Sequence, residues 1–94
     1  MLEKLKAVER RLTEVERQLS DPAVYTDRER LTALSREQKE LTPLVTCYRA
    51  YAAAAQTAEA ASAMLADPEL RELAQEELTA ARADMDRLTE ELKR

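Results

Sequence analysis

The sequence predicts an all-α protein, an elongated antiparallel three-helix coiled-coil-like bundle with a long central helix, and three observations carry that prediction. No glycine occurs in 94 residues, and Leu and Ala dominate an apolar fraction that stands beside 36% charged residues, a composition typical of helical bundles and coiled coils. Apolar residues recur at alternating spacings of three and four along the first twenty and the last twenty-five positions, the period of a helix with one dry face. Ser20-Asp21-Pro22 and Asp67-Pro68 stop helices, so the chain divides into three rods of about 2–20, 27–65 and 68–93 within one domain, 1–94.

The first rod places Leu2, Leu5, Val8, Leu12, Val15 and Leu19 in a heptad-like seam one side chain wide, which needs a partner helix to become dry. Arg10, Glu14 and Arg17 lie at helical contact spacing on the charged faces, pairs worth about 0.2–0.5 kcal/mol each. Pro22 has no amide hydrogen to continue the ladder and disfavours helical geometry at Asp21, so the rod stops there. Residues 23–25 form a short connection. Thr26 followed by Glu29 reads as a capping box, with Val24 or Tyr25 as a hydrophobic staple.

The central rod runs through Leu31, Leu34, Leu41, Leu44, Val45, Tyr48, Tyr51 and Ala55 to Leu65. Pro43 interrupts it, and two outcomes are open. Either the helix bends, or Thr42 caps a fresh helix with Pro43 at its first position. Helical spacing from Leu41 to Tyr48 straight across the proline favours the bend. Between Ala50 and Ala66 ten of seventeen residues are alanine and Glu59 is the one charge. Such a segment lets helix axes approach closely, as a face covered by the third rod or as a self-association face. Asp67 as N-cap and Pro68 at the first position open the third rod, with Glu69 complementing the dipole. Leu70, Leu73, Ala74, Leu78, Ala81, Met85, Leu88 and Leu92 then form the second seam. Nothing terminates that rod before Arg94, as expected of a boundary drawn through a longer chain. At 1.5 Å per residue the rods measure about 28, 58 and 39 Å. Short connections make neighbours antiparallel, so the first lies along the front half of the middle rod and the third along its rear half.

The same composition excludes whole classes of chemistry. Without glycine no phosphate-cradling loop or dinucleotide fingerprint can form, and without histidine the commonest metal ligand and neutral-pH base are missing. Cys47, alone, can make neither an internal disulfide nor a thiolate cluster and reads as a small semi-buried hydrophobe in a reducing compartment. No apolar run reaches membrane-spanning length. Cofactors, metals, a membrane and a small-molecule substrate are therefore not expected, and acids such as Glu37, Glu40, Glu76 and Glu77 occupy charged helix faces without a pocket. Net charge is −4. Residues 1–47 balance nine cations against nine acids, whereas residues 48–94 hold six against ten, so overall charge does not drive nucleic-acid binding.

Three stretches, Ser20-Asp21-Pro22, Ala33-Leu34-Ser35-Arg36-Glu37 and Ala66 through Leu78, resemble in order the N-terminal domain of the bacterial peptide chain release factor 1 family, a class I translation termination factor. The last, Ala-Asp-Pro-Glu-Leu-Arg-Glu-Leu-Ala-Gln-Glu-Glu-Leu, is the most specific, and the resemblance covers the chain from Met1 onward. It implies a non-catalytic, cytoplasmic ribosome-docking domain at the large-subunit stalk base and GTPase-associated centre. Stop-codon reading and peptidyl-tRNA hydrolysis through a Gly-Gly-Gln motif fall in that family to later domains. No functional residue of the family maps onto these positions. From the residues themselves the candidate contacts are Arg10, Arg11, Arg28 and Arg30, the last two beside the first inter-helix turn, within reach of an rRNA phosphate or a protein. Thr26, Glu29, Asp67 and Pro68 are expected to be structural caps. The alternative is a self-contained coiled-coil oligomerisation or adaptor module that forms a homodimer through its leucine seams and alanine face.

Overall fold

The computed structural model describes residues 2–93, with the side chain of Leu2 excepted; Leu2's place in the first seam, and the reading of Met1 and Arg94, lie outside the described residues. Four helices follow one another, α1 (Leu2–Leu19), α2 (Pro22–Tyr25), α3 (Arg28–Met64) and α4 (Arg71–Leu92), and the described residues contain no strand. Their contacts fall into two compact units, one ending at Thr46 and the other beginning at Cys47. The first holds α1, α2 and the front of α3. The second holds the rear of α3 and α4.

In the first unit, α1 buries Leu12 and Val15 and half-buries Leu5, Val8 and Leu19, the stripe that its spacing of threes and fours predicts. Val15, Val24 and Leu34 form one buried cluster, with Leu19 packed against it. Each of the first three helices thus contributes one branched side chain to the same dry centre. Burying such a side chain fully is worth about 1.5–3 kcal/mol. The α1 and α3 chains run antiparallel, since Arg11 meets Glu37 while Val15, further along α1, meets Leu34, earlier in α3.

The connection read as irregular at 23–25 is instead a helical turn. Asp21 is extended and accepts the Ala23 amide on its carboxylate at 2.9 Å, with Pro22 next. Asp-Pro is a helix start as much as a stop, because proline's missing amide is one that no helical bond would have used. This turn carries Val24 into the core with Val15 and Leu34 and leaves Tyr25 exposed, so Tyr25 makes no staple and Val24 serves the core.

α3 continues unbroken through Pro43. The fresh helix capped by Thr42 does not form, because the Thr42 hydroxyl donates back to the Gln38 carbonyl at 2.7 Å. That back-bond and the missing proline amide act on adjacent carbonyls of the same turn. Val45 and Tyr48 are buried just beyond it, whereas Leu44, expected in the seam, is exposed. A residue next to a buried one on a helix lies about 100° round the axis, and the covered stripe is too narrow to include both.

The second unit is an antiparallel pair. The Cys47 thiol lies 3.7 Å from the Leu88 carbonyl, and fourteen residues on along α3 and fourteen back along α4 the same register sets Ala61 opposite Ala74. Both are fully buried. Small side chains at the crossing let the backbones approach, and Leu78, Ala81 and Leu88 complete the dry strip. Only one side of the alanine segment is covered. Ala61 is buried and Ala54, Ala55 and Ala58 are half-buried, while Ala52, Ala53, Ala60 and Ala63 face solvent.

Candidate functional site

Of the four arginines singled out by sequence, Arg11 is committed to the fold. Its Nε and Nη2 donate to the two carboxylate oxygens of Glu37 at 2.6 and 2.7 Å, a bidentate clamp from α1 to α3. Hydrogen bonding to this guanidinium holds the Glu37 carboxyl below its ordinary pKa, and the same bond raises that of Arg11. A planar fork paired in this way engages two of the five guanidinium donors and sets helix register. Arg10, one residue away, is exposed and joins no ion pair among the described residues. Its expected partner Glu14 is taken by Arg17, whose Nε and Nη2 donate at 2.9 and 2.7 Å, while Gln18 donates at 3.1 Å. Those bonds, Arg17's first, pull the Glu14 carboxyl down to about 2.

Arg28 and Arg30 lie at the start of α3, exposed and without ion-pair partners among the described residues. Arg28 lines a shallow groove of about 410 Å³ with Glu29, Thr32, Ala33 and Arg36. Arg36, two helical turns along the same face, is the cation that sequence reasoning missed. The spacing of Arg28, Thr32 and Arg36 by fours was the available signal. By the α1–α3 register Arg10 and Arg11 sit near Glu37, about 14 Å along the axis from Arg28. The structure therefore separates the four arginines into two groups and removes Arg11 from the free set.

The caps shift by one to three residues. The Thr26 hydroxyl donates to the Pro22 carbonyl at 2.6 Å and its amide also turns back to α2, so Thr26 closes α2 and does not open α3. Asp27 takes the opening role, accepting the Arg30 amide on Oδ1 at 3.3 Å and the Leu31 amide on its carbonyl at 2.9 Å. A carboxylate there competes well with a hydroxyl for first-turn amides. Glu29 remains in that first turn and complements the dipole. Asp67 accepts the Glu69 amide at 2.9 Å on its side chain and the Leu70 amide at 3.1 Å on its backbone. It caps a tight turn holding Pro68, and regular helix begins only at Arg71.

That turn exposes what the seam pattern concealed. Leu70 and Leu73, read as covered, are 39% and 53% exposed. One turn separates them, so they are neighbours on one face. Glu69, Glu72, Glu76 and Glu77 surround them, all exposed. The one nearby cation, Arg71, donates from Nε to the Leu65 carbonyl at 3.3 Å.

Cys47 is half-buried, its thiol 3.6 Å from Glu91 Oε2, and burial followed by that carboxylate pushes the thiol pKa up. A thiol so placed is a poor nucleophile. Among the described residues no group of three or more His, Cys, Asp or Glu is arranged to hold a metal ion, and no helix is long and apolar enough to cross a membrane. Two surfaces that combine exposure with a distinct charge are the unpaired arginines of the first unit and the acid-ringed leucines of the second.

Residues 8–94 match the PCRF domain family. Among curated relatives, the peptide chain release factor 1 of Pelobacter propionicus is 39% identical over 92 residues, covering 98% of this chain and 26% of the relative. The peptide chain release factor 1 of Geobacter sulfurreducens is 40% identical over 93 residues, covering 99% of this chain and again 26% of the relative. The chain therefore spans about a quarter of the length of these relatives. No solved structure gives a significant match. With a family model that matches residues 8–94 of an all-helical chain, this chain belongs to the PCRF domain family.

Proposed function

We propose that this chain is the N-terminal ribosome-docking domain of a class I peptide chain release factor, acting in translation termination in the cytoplasm. The observation that carries the reading is the family match across residues 8–94 together with two release factor 1 relatives aligned over almost the whole chain. The chain contains no glycine, so a Gly-Gly-Gln hydrolysis motif has to lie in residues beyond these. The domain then contributes affinity and orientation and no bond-breaking step. It uses neither cofactor nor small-molecule substrate. Its target is the large-subunit stalk base and GTPase-associated centre, approached by surfaces that the helices leave unoccupied: Arg10, Arg28 and Arg30, joined by Arg36. Arg11 contributes through the register it sets.

The test uses ribosomes stalled at a stop codon with labelled peptidyl-tRNA. The isolated chain should release no peptide, and in excess it should slow release by the full-length factor by competing for its landing site. Peptide release by the isolated chain, or an absence of competition at concentrations where it binds ribosomes, would overturn the reading. A second reading, a self-contained oligomerisation or adaptor module, draws on the exposure of Leu44, Leu70 and Leu73. It requires a stable homodimer at micromolar concentration, and a monomer in sedimentation at high concentration removes it.

A further inference from the structure

The region between Ala66 and Leu78 holds five acids, Asp67, Glu69, Glu72, Glu76 and Glu77, and one cation, Arg71. Their balance, −4, equals the net charge of the whole chain. At its centre stand Leu70 and Leu73, and Leu73 is the most exposed large hydrophobic residue among the described residues. The neighbours of Leu73 three and four positions on along the helix surface are the carboxylates Glu76 and Glu77, and the turn before it supplies Glu69 and Leu70. Glu72 lies alongside. Leu70 and Leu73 leave much of their apolar surface in water although Ala74 and Leu78 on the adjacent stripe are buried.

We propose that this acid-ringed leucine pair is a protein-docking surface, and that its occupant is a basic protein segment with an apolar centre. The inference rests on the ribosome-docking reading and names the partner class that this end of the domain takes. Charge decides the class. A surface at −4 repels a phosphate backbone at close range, whereas a lysine- or arginine-rich protein face is steered toward it and then excludes water from the two leucines. Apolar anchors inside a charged rim are the usual arrangement of an interface hot spot. The turn that presents them is rigidly made, since Asp67 accepts both the Glu69 and Leu70 amides and Arg71 closes back on the Leu65 carbonyl. Such a loop needs little ordering on binding.

The experiment measures binding of the full-length factor to purified ribosomes programmed with a stop codon. Four proteins are compared: the unaltered factor, Leu70→Ser with Leu73→Ser, Glu69→Lys with Glu76→Lys, and a deletion of residues 1–94. All substituted positions are exposed, and circular dichroism checks that helix content is kept. The leucine double variant should bind about tenfold more weakly, the loss typical of removing a hot-spot anchor. The lysine double variant should also bind more weakly. A photo-cross-linker at position 73 should attach to ribosomal protein. Tighter binding by the lysine variant, or cross-linking to rRNA, would assign the face to nucleic acid and overturn the proposal. Unchanged binding by both double variants, with the deletion still impaired, would also overturn it while leaving the docking reading intact. Unchanged binding by the deletion would sink that reading itself.

Discussion

Replacing Ala61 by leucine probes how the second unit is held together. Ala61 and Ala74 are fully buried and stand opposite each other in the register that Cys47 and Leu88 define. A leucine adds three carbon atoms where the facing helix leaves room for one methyl group. Forcing extra methylenes into a packed site costs about 1–3 kcal/mol. For a chain of this size 1 kcal/mol moves the melting midpoint by about 4–8 °C, so Ala61→Leu should melt about 4–24 °C lower, centred near 12 °C. The control is Ala63→Leu, two positions on and exposed, where a surface change stays within about 0.5 kcal/mol. Thermal melts followed by circular dichroism at matched concentration report both, and hydrogen exchange along α4 localises the loss. Equal midpoints for the two variants would refute the reasoning, because the alanine pair could not then be a close contact.

Other consequences concern Glu14, Cys47 and Pro43. By NMR titration the Glu14 carboxyl should have its midpoint at about 2; its folded value is depressed, so its contribution to stability is complete above the unfolded pKa and is lost as pH falls toward 2. Arg17→Ala should return that midpoint toward the ordinary carboxylate range, and an unmoved midpoint would show the bond to be absent in solution. The Cys47 thiol should be alkylated more slowly than free cysteine at pH 8, and Glu91→Gln should speed the reaction by removing the carboxylate that holds the proton; equal rates would contradict the placement of Glu91. Pro43→Ala should raise the melting midpoint by restoring an amide bond to the Lys39 carbonyl in the unbroken α3, a gain of up to about 3 kcal/mol. A lowered midpoint would mean that the proline is better accommodated than a regular turn.

The helices were legible because their signal is redundant. Six seam residues in the first rod and eight in the third repeat the same period, so no single misreading displaces either one. Boundaries rest on single residues and were less legible. Thr26 and Asp27 are adjacent, both competent caps, and the outcome turned on the Thr26 hydroxyl finding the Pro22 carbonyl of a turn that Asp21-Pro22 had started. Reading Asp-Pro only as a stop concealed α2, although the same pair was read as a start at Asp67-Pro68. There the start was placed three residues early, because the chain makes a tight turn before the regular helix. Exposure was the least legible property. A period assigns Leu70 and Leu73 to the face of Ala74 and Leu78, but Leu73 lies about 100° round the helix from the buried Ala74, and nothing local states how narrow the covered stripe is. The arginines follow the same logic: type and spacing marked Arg11 as available, while its engagement depends on Glu37, 26 residues away.

The most direct test of the account is the concentration of factor needed for half-maximal peptide release at a stop codon, compared between the full-length protein and one lacking residues 1–94. If this domain supplies docking and no chemistry, the shortened factor should reach the same release rate at saturation but require a concentration raised by about tenfold or more, a loss of at least about 1.4 kcal/mol in binding. An unchanged half-maximal concentration, or a saturating rate that collapses while binding is retained, would contradict it.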